Sequence, residues 1–209
     1  MIALVDLKIS NLGSVLEAFR RVGAPPTEPA TASSIGAASA ILLPGVGAFG
    51  DGMASLREQG LVEPIRAAVA RGVPVLGICL GMQLLADSSE EHGQHDGLGL
   101  IKGKVIKLKP TQSGFRVPNI GWCDVVPSRP GMLFPDTRTG CYYHVHSFHL
   151  VPANADDVAA SMSYSGKPVA SAVEHGNVMG VQFHPEKSQD DGLRLLDKFF
   201  DSLRRIGCV

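Results

Sequence analysis

The sequence predicts an α/β fold in which a mixed, largely parallel central sheet is flanked by helices. Three observations predict it. Up to residue 86, short unbroken apolar runs such as Val75, Leu76 and Ile78 alternate with amphipathic stretches, the texture of buried parallel strands joined by right-handed helical crossovers. From Lys104 onward apolar and polar residues alternate in several successive runs, as in strands with one exposed face, some of them antiparallel. The chain then closes on one long amphipathic stretch, Asp190 to Arg205.

Taken in order, Ile2 to Asp6 reads as the first strand and Ser10 to Val22 as the first helix. Leu12, Val15, Leu16, Phe19 and Val22 make its apolar stripe and Gly23 caps its C-terminus. The proline-rich stretch Pro25 to Pro29 fits only an edge segment. Thr31 to Ser39 is weakly helical. Ala40 to Leu43 is the next buried strand and runs into a glycine-rich loop, Pro44 to Gly52. Helices follow at Met53 to Gln59 and Leu61 to Arg71, the second with Leu61, Ile65, Ala68 and Val69 on one face. After a strand ending at Cys79, the residues Leu80, Gln83, Leu84 and Ala86 fall into helical spacing, and Ser88 to Gly97 reads as a polar loop. The alternating runs are Lys104–Leu108, Gly121–Val126, Cys141–Val151, Val158–Met162, Val169–Glu174 and Asn177–Phe183. The closing helix carries Leu193, Leu196, Phe199, Phe200 and Leu203 toward the core.

With 209 residues, 44% hydrophobic and 19% charged, the chain suits a single domain over 1–209 with a sizeable core and no disordered arm. A net charge of -1 without a basic run leaves no footprint for nucleic acid. The N-terminus meets Asp6 with no basic n-region, so it reads as a strand and not a signal peptide, and no apolar run reaches membrane-spanning length. Cys79, Cys123, Cys141 and Cys208 show no close pairing and suit a reducing, cytoplasmic compartment.

Chemistry concentrates in three stretches. Cys79 ends an apolar strand, has Gly77 and Gly81 two residues to either side, and turns straight into a helix, the arrangement of a nucleophile elbow. The helix start directs free N–H groups at the sulfur and favours thiolate. The second stretch, Val181 to Ser188, ends a strand on His184 with Glu186 two residues on, past Pro185. An extended spacing of two puts imidazole and carboxylate on one side of the chain, where the carboxylate fixes the ring's tautomer and orientation. In the third, Pro44 to Gly52, a glycine-rich loop after a buried strand can turn peptide N–H groups toward a developing negative charge. It carries neither a Walker lysine pattern nor a G-x-G-x-x-G.

Together G-I-C-L-G-M-Q, F-H-P-E-K-S and L-P-G-V-G-A-F-G-D-G resemble the triad-type (class I) glutamine amidotransferases, with their flavodoxin-like layering. Within them the chain is similar to the glutaminase subunits of imidazole glycerol phosphate synthase over essentially its whole length. The resemblance implies that Cys79 attacks the glutamine side-chain amide, that His184 moves the proton and that Glu186 orients His184. It implies an oxyanion site from the Leu80 N–H and one from Gly45-Val46-Gly47, and substrate contacts from Gln83 and from the backbone of His146, Ser147 and Phe148. No cofactor or metal is implied. The implied partner is a (β/α)₈-barrel synthase subunit that receives the ammonia, met by a face that includes Asn11, Trp122 and Lys187.

The chain departs from the family pattern at two places. A first-strand Asp-Tyr-Gly-x-Gly-Asn is replaced by Asp6-Leu7-Lys8-Ile9-Ser10-Asn11, and V-P-H-M-G-W-N by Val117 to Cys123 with Asn119, Ile120 and Cys123 as the changed positions. Both fall on the face expected to meet the synthase. They leave open a paralogous glutaminase that feeds a sugar-modifying partner in surface polysaccharide synthesis. Other classes remain open as well: a zinc site on Cys141, His144, His146 and His149, which a regular strand would split between two faces; a non-catalytic interaction module; and a partner-independent cysteine hydrolase.

Overall fold

Parallel strands β1 (Ile2–Leu4), β2 (Thr27–Pro29), β3 (Ala40–Gly45) and β4 (Val75–Cys79) build the first half of the protein, in a computed structural model that describes residues 1–8 and 12–208. Between them lie helices α1 (Leu12–Arg21), α2 (Ala32–Ala37), α3 (Phe49–Glu58) and α4 (Val62–Ala70), and α5 (Leu80–Leu84) follows β4 without a break. The second half is strand-rich: β5 (Ala86–Ser89), β6 (His95–Asp96), β7 (Ile101–Lys107), β8 (Asn119–Pro127), β9 (Gly140–His146), β10 (Phe148–Pro152), β11 (Val158–Tyr164), β12 (Lys167–His175) and β13 (Val178–Val181). Helix α6 (Gln189–Arg205) closes the chain.

The larger sheet has the order β2-β1-β3-β4-β13-β12-β11-β8-β9. Its first five strands are parallel and its last four antiparallel, so the expected mixed, largely parallel sheet flanked by helices is what forms. Period-two alternation sorts the core to its two faces. Ile2, Leu4 and Leu42 pack with Val15 and Phe19 of α1 and with Leu196, Phe199 and Phe200 of α6. Ala3, Ile41 and Leu43 pack with Met53, Leu56, Ile65 and Leu80, and with Ile101, Val105 and Leu150 of a second sheet, β10-β7-β5-β6. Among the described residues no helix is long and apolar enough to cross a membrane.

The structure corrects several local expectations. Leu16 is 41% exposed and Ala18 takes its place on the buried stripe of α1, because the stripe follows residues 15, 18 and 19. The start of that helix at Ser10 lies outside the described residues. The helix after Cys79 stops at Leu84, and Ala86 instead opens β5. Part of the supposed polar loop, Ser88 to Gly97, thus pairs as β5 with β6, which are too short and polar to show a strand period. Helix α3 starts at Phe49, four residues before Met53, because Gly50 and Gly52 hid its first turn. The run Cys141 to Val151 breaks at Ser147, where the chain leaves the large sheet as β9 and enters the second as β10. The edge segment, the weak helix, the helix ending before Gly23 and the closing helix form as read.

Two glycines decide how α5 sits. A Cβ at Gly77 would lie 2.5 Å from the Gly81 carbonyl oxygen, and one at Gly81 would overlap the carbonyl of Leu43 in β3. Backbone therefore touches backbone across β3, β4 and α5. We expect Gly81→Ala to lower stability by at least ~3 kcal/mol, the upper end of overpacking costs, since the obstacle is backbone and not a side chain. Gly60→Ala, at φ +65 with nothing within 4 Å, should cost only about 1 kcal/mol. Urea unfolding midpoints of the two variants measure the contrast, and equal losses would mean that the backbone contact is not what Gly81 protects.

Candidate active site

The carboxyl ends of β3, β4 and β13 meet side by side, where an open α/β sheet places its ligands. Gly45 pairs with Cys79 and Val181 with Ile78, so the glycine-rich loop and the segment to His184 leave the sheet on either side of the cysteine. Cys79 has φ 55 and ψ -110, a conformation sparsely populated by non-glycine residues that a strand-to-helix elbow imposes. The crevice is a cavity of about 300 Å³ lined by Val46, Gly47, Cys79, Leu80, Gln83, Glu91, Pro118, Val145, His146, Ser147, Phe148 and His184.

His184 is buried and its Nδ1 stands 2.7 Å from Glu186 Oε1. A carboxylate oxygen only accepts, so Nδ1 carries the proton and Nε2 is the atom left for Cys79. The expected contact forms, though not along an extended chain: Pro185 to Lys187 make a turn of 3₁₀ helix. That turn swings the carboxylate back under the ring. Burial alone lowers the His184 pKa, but the sulfur of Cys79 and the carboxylate of Glu186 outweigh it and raise it to about 10. The imidazolium is thus the stable form whenever sulfur and carboxylate both carry charge.

Two further histidines lie on the inward face of β9, His146 on the cavity wall and His144 fully buried behind it. His144 Nδ1 is 3.0 Å from the Tyr142 carbonyl and its Nε2 2.8 Å from Ser171 Oγ. His146 Nδ1 is 2.8 Å from the Phe148 carbonyl. Each carbonyl can only accept, so both rings are Nδ1–H tautomers. Burial pushes His144 down to about 4, and burial with the neighbouring His144 pushes His146 down to about 3. Both are neutral at ordinary pH. Cys141, His144, His146 and His149 do not converge: among the described residues no three His, Cys, Asp or Glu side chains stand together as metal ligands.

The remaining candidates separate. Val46, Gly47 and Leu80 border the cavity, while Gly45 lies behind it, under Leu7 and Leu80. Gln83 and the segment His146 to Phe148 are on the wall. Gln83 Nε2 is committed to the Phe148 carbonyl at 3.0 Å and to Gln182 Oε1 at 3.0 Å, leaving its own Oε1 for a ligand. Trp122 is 48% exposed on the outer face of β8, edge-on to Tyr143, and Lys187 is exposed beside Glu186. Asn11 lies outside the described residues. At the altered positions Leu7 is buried over Gly45, and Asn119 Nδ2 reaches the Cys123 sulfur at 3.8 Å, so two of the three changed residues of that stretch touch each other.

Sequence reasoning missed Glu91 and Gln182. Glu91 sits in the β5–β6 connection, lines the cavity and accepts the Phe49 N–H at 2.8 Å with Oε2. Nothing local marks it, since it is one of two adjacent glutamates in a polar stretch. Gln182 is fully buried two residues before His184, a polar residue in an apolar run, and that anomaly was visible.

Fold and site together define a hydrolase-like α/β protein with a cysteine elbow backed by an imidazole and a carboxylate. The class-I glutamine amidotransferase profile matches residues 3–203. The chain is 45% identical over 207 residues to the imidazole glycerol phosphate synthase subunit HisH of Moorella thermoacetica, covering 99% of this chain and 97% of that one. It is also 45% identical to HisH of Bacillus licheniformis, covering 95% of each. PurLQS from Thermotoga maritima shares the fold with a TM-score of 0.72 at 21% identity, covering 98% of this chain and 97% of that one. The chain belongs to the class-I glutamine amidotransferase family.

The raised His184 pKa sets a pH dependence of stability. Between the ordinary value of 6.5 and about 10 the folded chain holds a proton that the unfolded chain releases. The contribution is therefore complete below about 6.5 and lost as pH rises toward 10. The stability difference between the wild type and His184→Asn should shrink from pH 6 to pH 10 in urea titrations. A difference independent of pH would mean that the imidazolium is not held.

Proposed function

We propose that the chain is the glutaminase subunit of an imidazole glycerol phosphate synthase and acts in histidine biosynthesis. The relatives' names support the assignment, and one observation carries the chemistry: His184 stands between Cys79 and Glu186 at the converging ends of β4 and β13. In this reading Cys79 Sγ attacks the side-chain carbon of glutamine, and the tetrahedral oxyanion is held by the Leu80 N–H and a peptide N–H of Val46 or Gly47. The C–N bond breaks as His184 Nε2 delivers its proton to the leaving nitrogen, and ammonia departs from a thioester. Water, deprotonated by the now neutral His184, hydrolyses the thioester to glutamate and restores the thiol. Glu186 keeps the ring aligned throughout.

Substrate recognition follows from the wall. Gln83 Oε1 and the Glu91 carboxylate offer acceptors to the α-ammonium group, and the peptides of His146, Ser147 and Phe148 face the α-carboxylate. Neutral His144 and His146 add no competing charge to that end of the cavity. No cofactor takes part.

Ammonia released to bulk water would be protonated and lost, which favours direct delivery to a (β/α)₈-barrel synthase subunit in the cytoplasm. The apolar strip Ile120, Trp122 and Val126 on β8, exposed at 61%, 48% and 56%, supports a docking face. It runs toward Val145 and Pro118 at the cavity's rim, with Lys187 and Asn11 assigned to the same contact. The amidotransferase unit spans 1–209 in this proposal.

Glutamate release from glutamine, measured with a histidine-pathway synthase subunit and its nucleotide ligand, tests the reading. Cys79→Ser should lose glutamine-dependent turnover by at least ~10³-fold while ammonia-dependent synthesis by the partner persists. Trp122→Ala should weaken the complex by ~10-fold or more, as truncating an aromatic anchor does, with the fold intact. If the synthase neither binds nor activates a chain whose Cys79 still reacts with a glutamine analogue, a sugar-modifying partner becomes the better assignment.

A further inference from the structure

A chain of hydrogen bonds with only one possible direction ends at the sulfur of Cys79. The Phe148 carbonyl, which can only accept, receives Gln83 Nε2 at 3.0 Å and the His146 Nδ1–H at 2.8 Å. The Gln83 amide must therefore present its nitrogen there, and its second N–H goes to Gln182 Oε1 at 3.0 Å. That fixes the Gln182 amide in turn: with its oxygen committed, its nitrogen faces Cys79 Sγ at 3.9 Å. A terminal amide in a sequence position alone has no preferred face, but here one backbone carbonyl dictates two amide orientations.

We propose that Gln182 is a positioning residue for the nucleophile, presenting an amide N–H to the Cys79 sulfur in a direction fixed through Gln83 by the Phe148 carbonyl. The inference rests on reading Cys79 as the nucleophile and deepens it. A neutral N–H is a weak partner for a thiol and a stronger one for a thiolate, so the contact favours the reactive form without adding a charge. Gln182 is wholly buried and Gln83 almost so, so neither amide exchanges its partner for bulk water. The Gln182 N–H is thus a fixed donor to the sulfur, while His184, on the same cavity, supplies the group that moves a proton during the reaction. Because Gln83 also borders the cavity, the same chain ties the sulfur's position to the wall that holds the substrate.

The test compares the wild type with Gln182→Met, which keeps the shape and removes the donor, and Gln182→Glu, which puts an acceptor in its place. Cys79 alkylation by iodoacetamide is followed against pH, with glutaminase kcat and KM measured on the complex with the synthase subunit. The pH midpoint of alkylation should rise by about 1 unit in Gln182→Met and further in Gln182→Glu, the scale expected for losing one hydrogen bond to the charged form. The kcat should fall ~10-fold with KM changed less than about threefold, the signature of a group acting on the reacting atom and not on binding. A folded Gln182→Met with an unshifted profile and normal kcat overturns the inference and leaves Cys79 as nucleophile. A shifted profile in a chain with no glutaminase activity in any complex overturns the glutaminase reading and leaves the contact standing.

One measurement needs no Gln182 variant. In the ¹⁵N-labelled wild type the side-chain amide signal of Gln182 should titrate with the alkylation midpoint, and in Cys79→Ala it should be pH-independent. An amide signal that ignores the state of the sulfur overturns the proposal whether or not the substituted chains fold.

Discussion

Close backbone contact between the start of α5 and the end of β3 governs the rest of the structure. Gly81 lies against the Leu43 carbonyl and Gly77 against Gly81 itself, so the chain reverses from strand to helix within one residue. That residue is Cys79, and its φ of 55 is the cost of the reversal, about 1–3 kcal/mol of local strain. The surrounding parallel strands hold it there: Gly45 on one side and Val181 on the other fix the register of both neighbours relative to the sulfur. A turn spread over three or four residues would have lowered the strain and lost the alignment.

Charge and polarity around the sulfur are rationed in a consistent way. The core on both faces of the sheet is apolar, yet Gln83, His144, His146, Gln182 and His184 are all buried near one crevice. Each of the first four has a hydrogen-bond partner with a defined direction, which offsets much of the cost of burial, though His146 Nε2 is left without one among the described residues. Only His184 is held toward its charged form, and it has a buried carboxylate 2.7 Å away. The site thereby holds a charge at His184 and surrounds it with fixed dipoles, which do not have to reorganise as charge moves.

Much of this was legible in the sequence because it rests on short, local patterns. The apolar runs of β3 and β4, the glycine frame of Cys79 and the pairing of His184 with Glu186 each mark themselves within a few residues, whereas the 3₁₀ turn that makes that pairing does not. What stayed hidden depends on the sheet. Glu91 belongs to the cavity only because β5 and β6 pair in a second sheet, and no residue beside it announces that. The break at Ser147 was hidden by two strands with the same alternation, one in each sheet. Leu16 looked like core because spacing alone cannot say which edge of a helical stripe meets the neighbouring α6 and which meets water. Gln182 was the most accessible of the misses, since a buried amide inside Val181-Gln182-Phe183 contradicts the strand's own pattern and so points to a partner elsewhere.

The two faces of β9 share one backbone, and this joins the site to the outer surface. Tyr142, His144 and His146 point inward, with His146 on the cavity wall, while Tyr143 and Val145 sit beside Trp122 and Ile120 of β8. The Tyr143 carbonyl accepts the His184 N–H at 3.0 Å, and its own N–H is received by Ser188 Oγ at 3.0 Å. The peptide groups of Tyr143 therefore grip the His184–Ser188 segment from both ends, and the side chain of the same residue packs against the exposed tryptophan. Any surface that covers Trp122 bears on a residue directly bonded to the segment carrying His184 and Glu186. A change in the position of β9 by a few tenths of an ångström would be felt first at that N–H to carbonyl bond. With Phe148 following β9 across Ser147 and anchoring the amide chain to Gln182, the strand is attached both to the segment carrying His184 and to the amide that faces the sulfur.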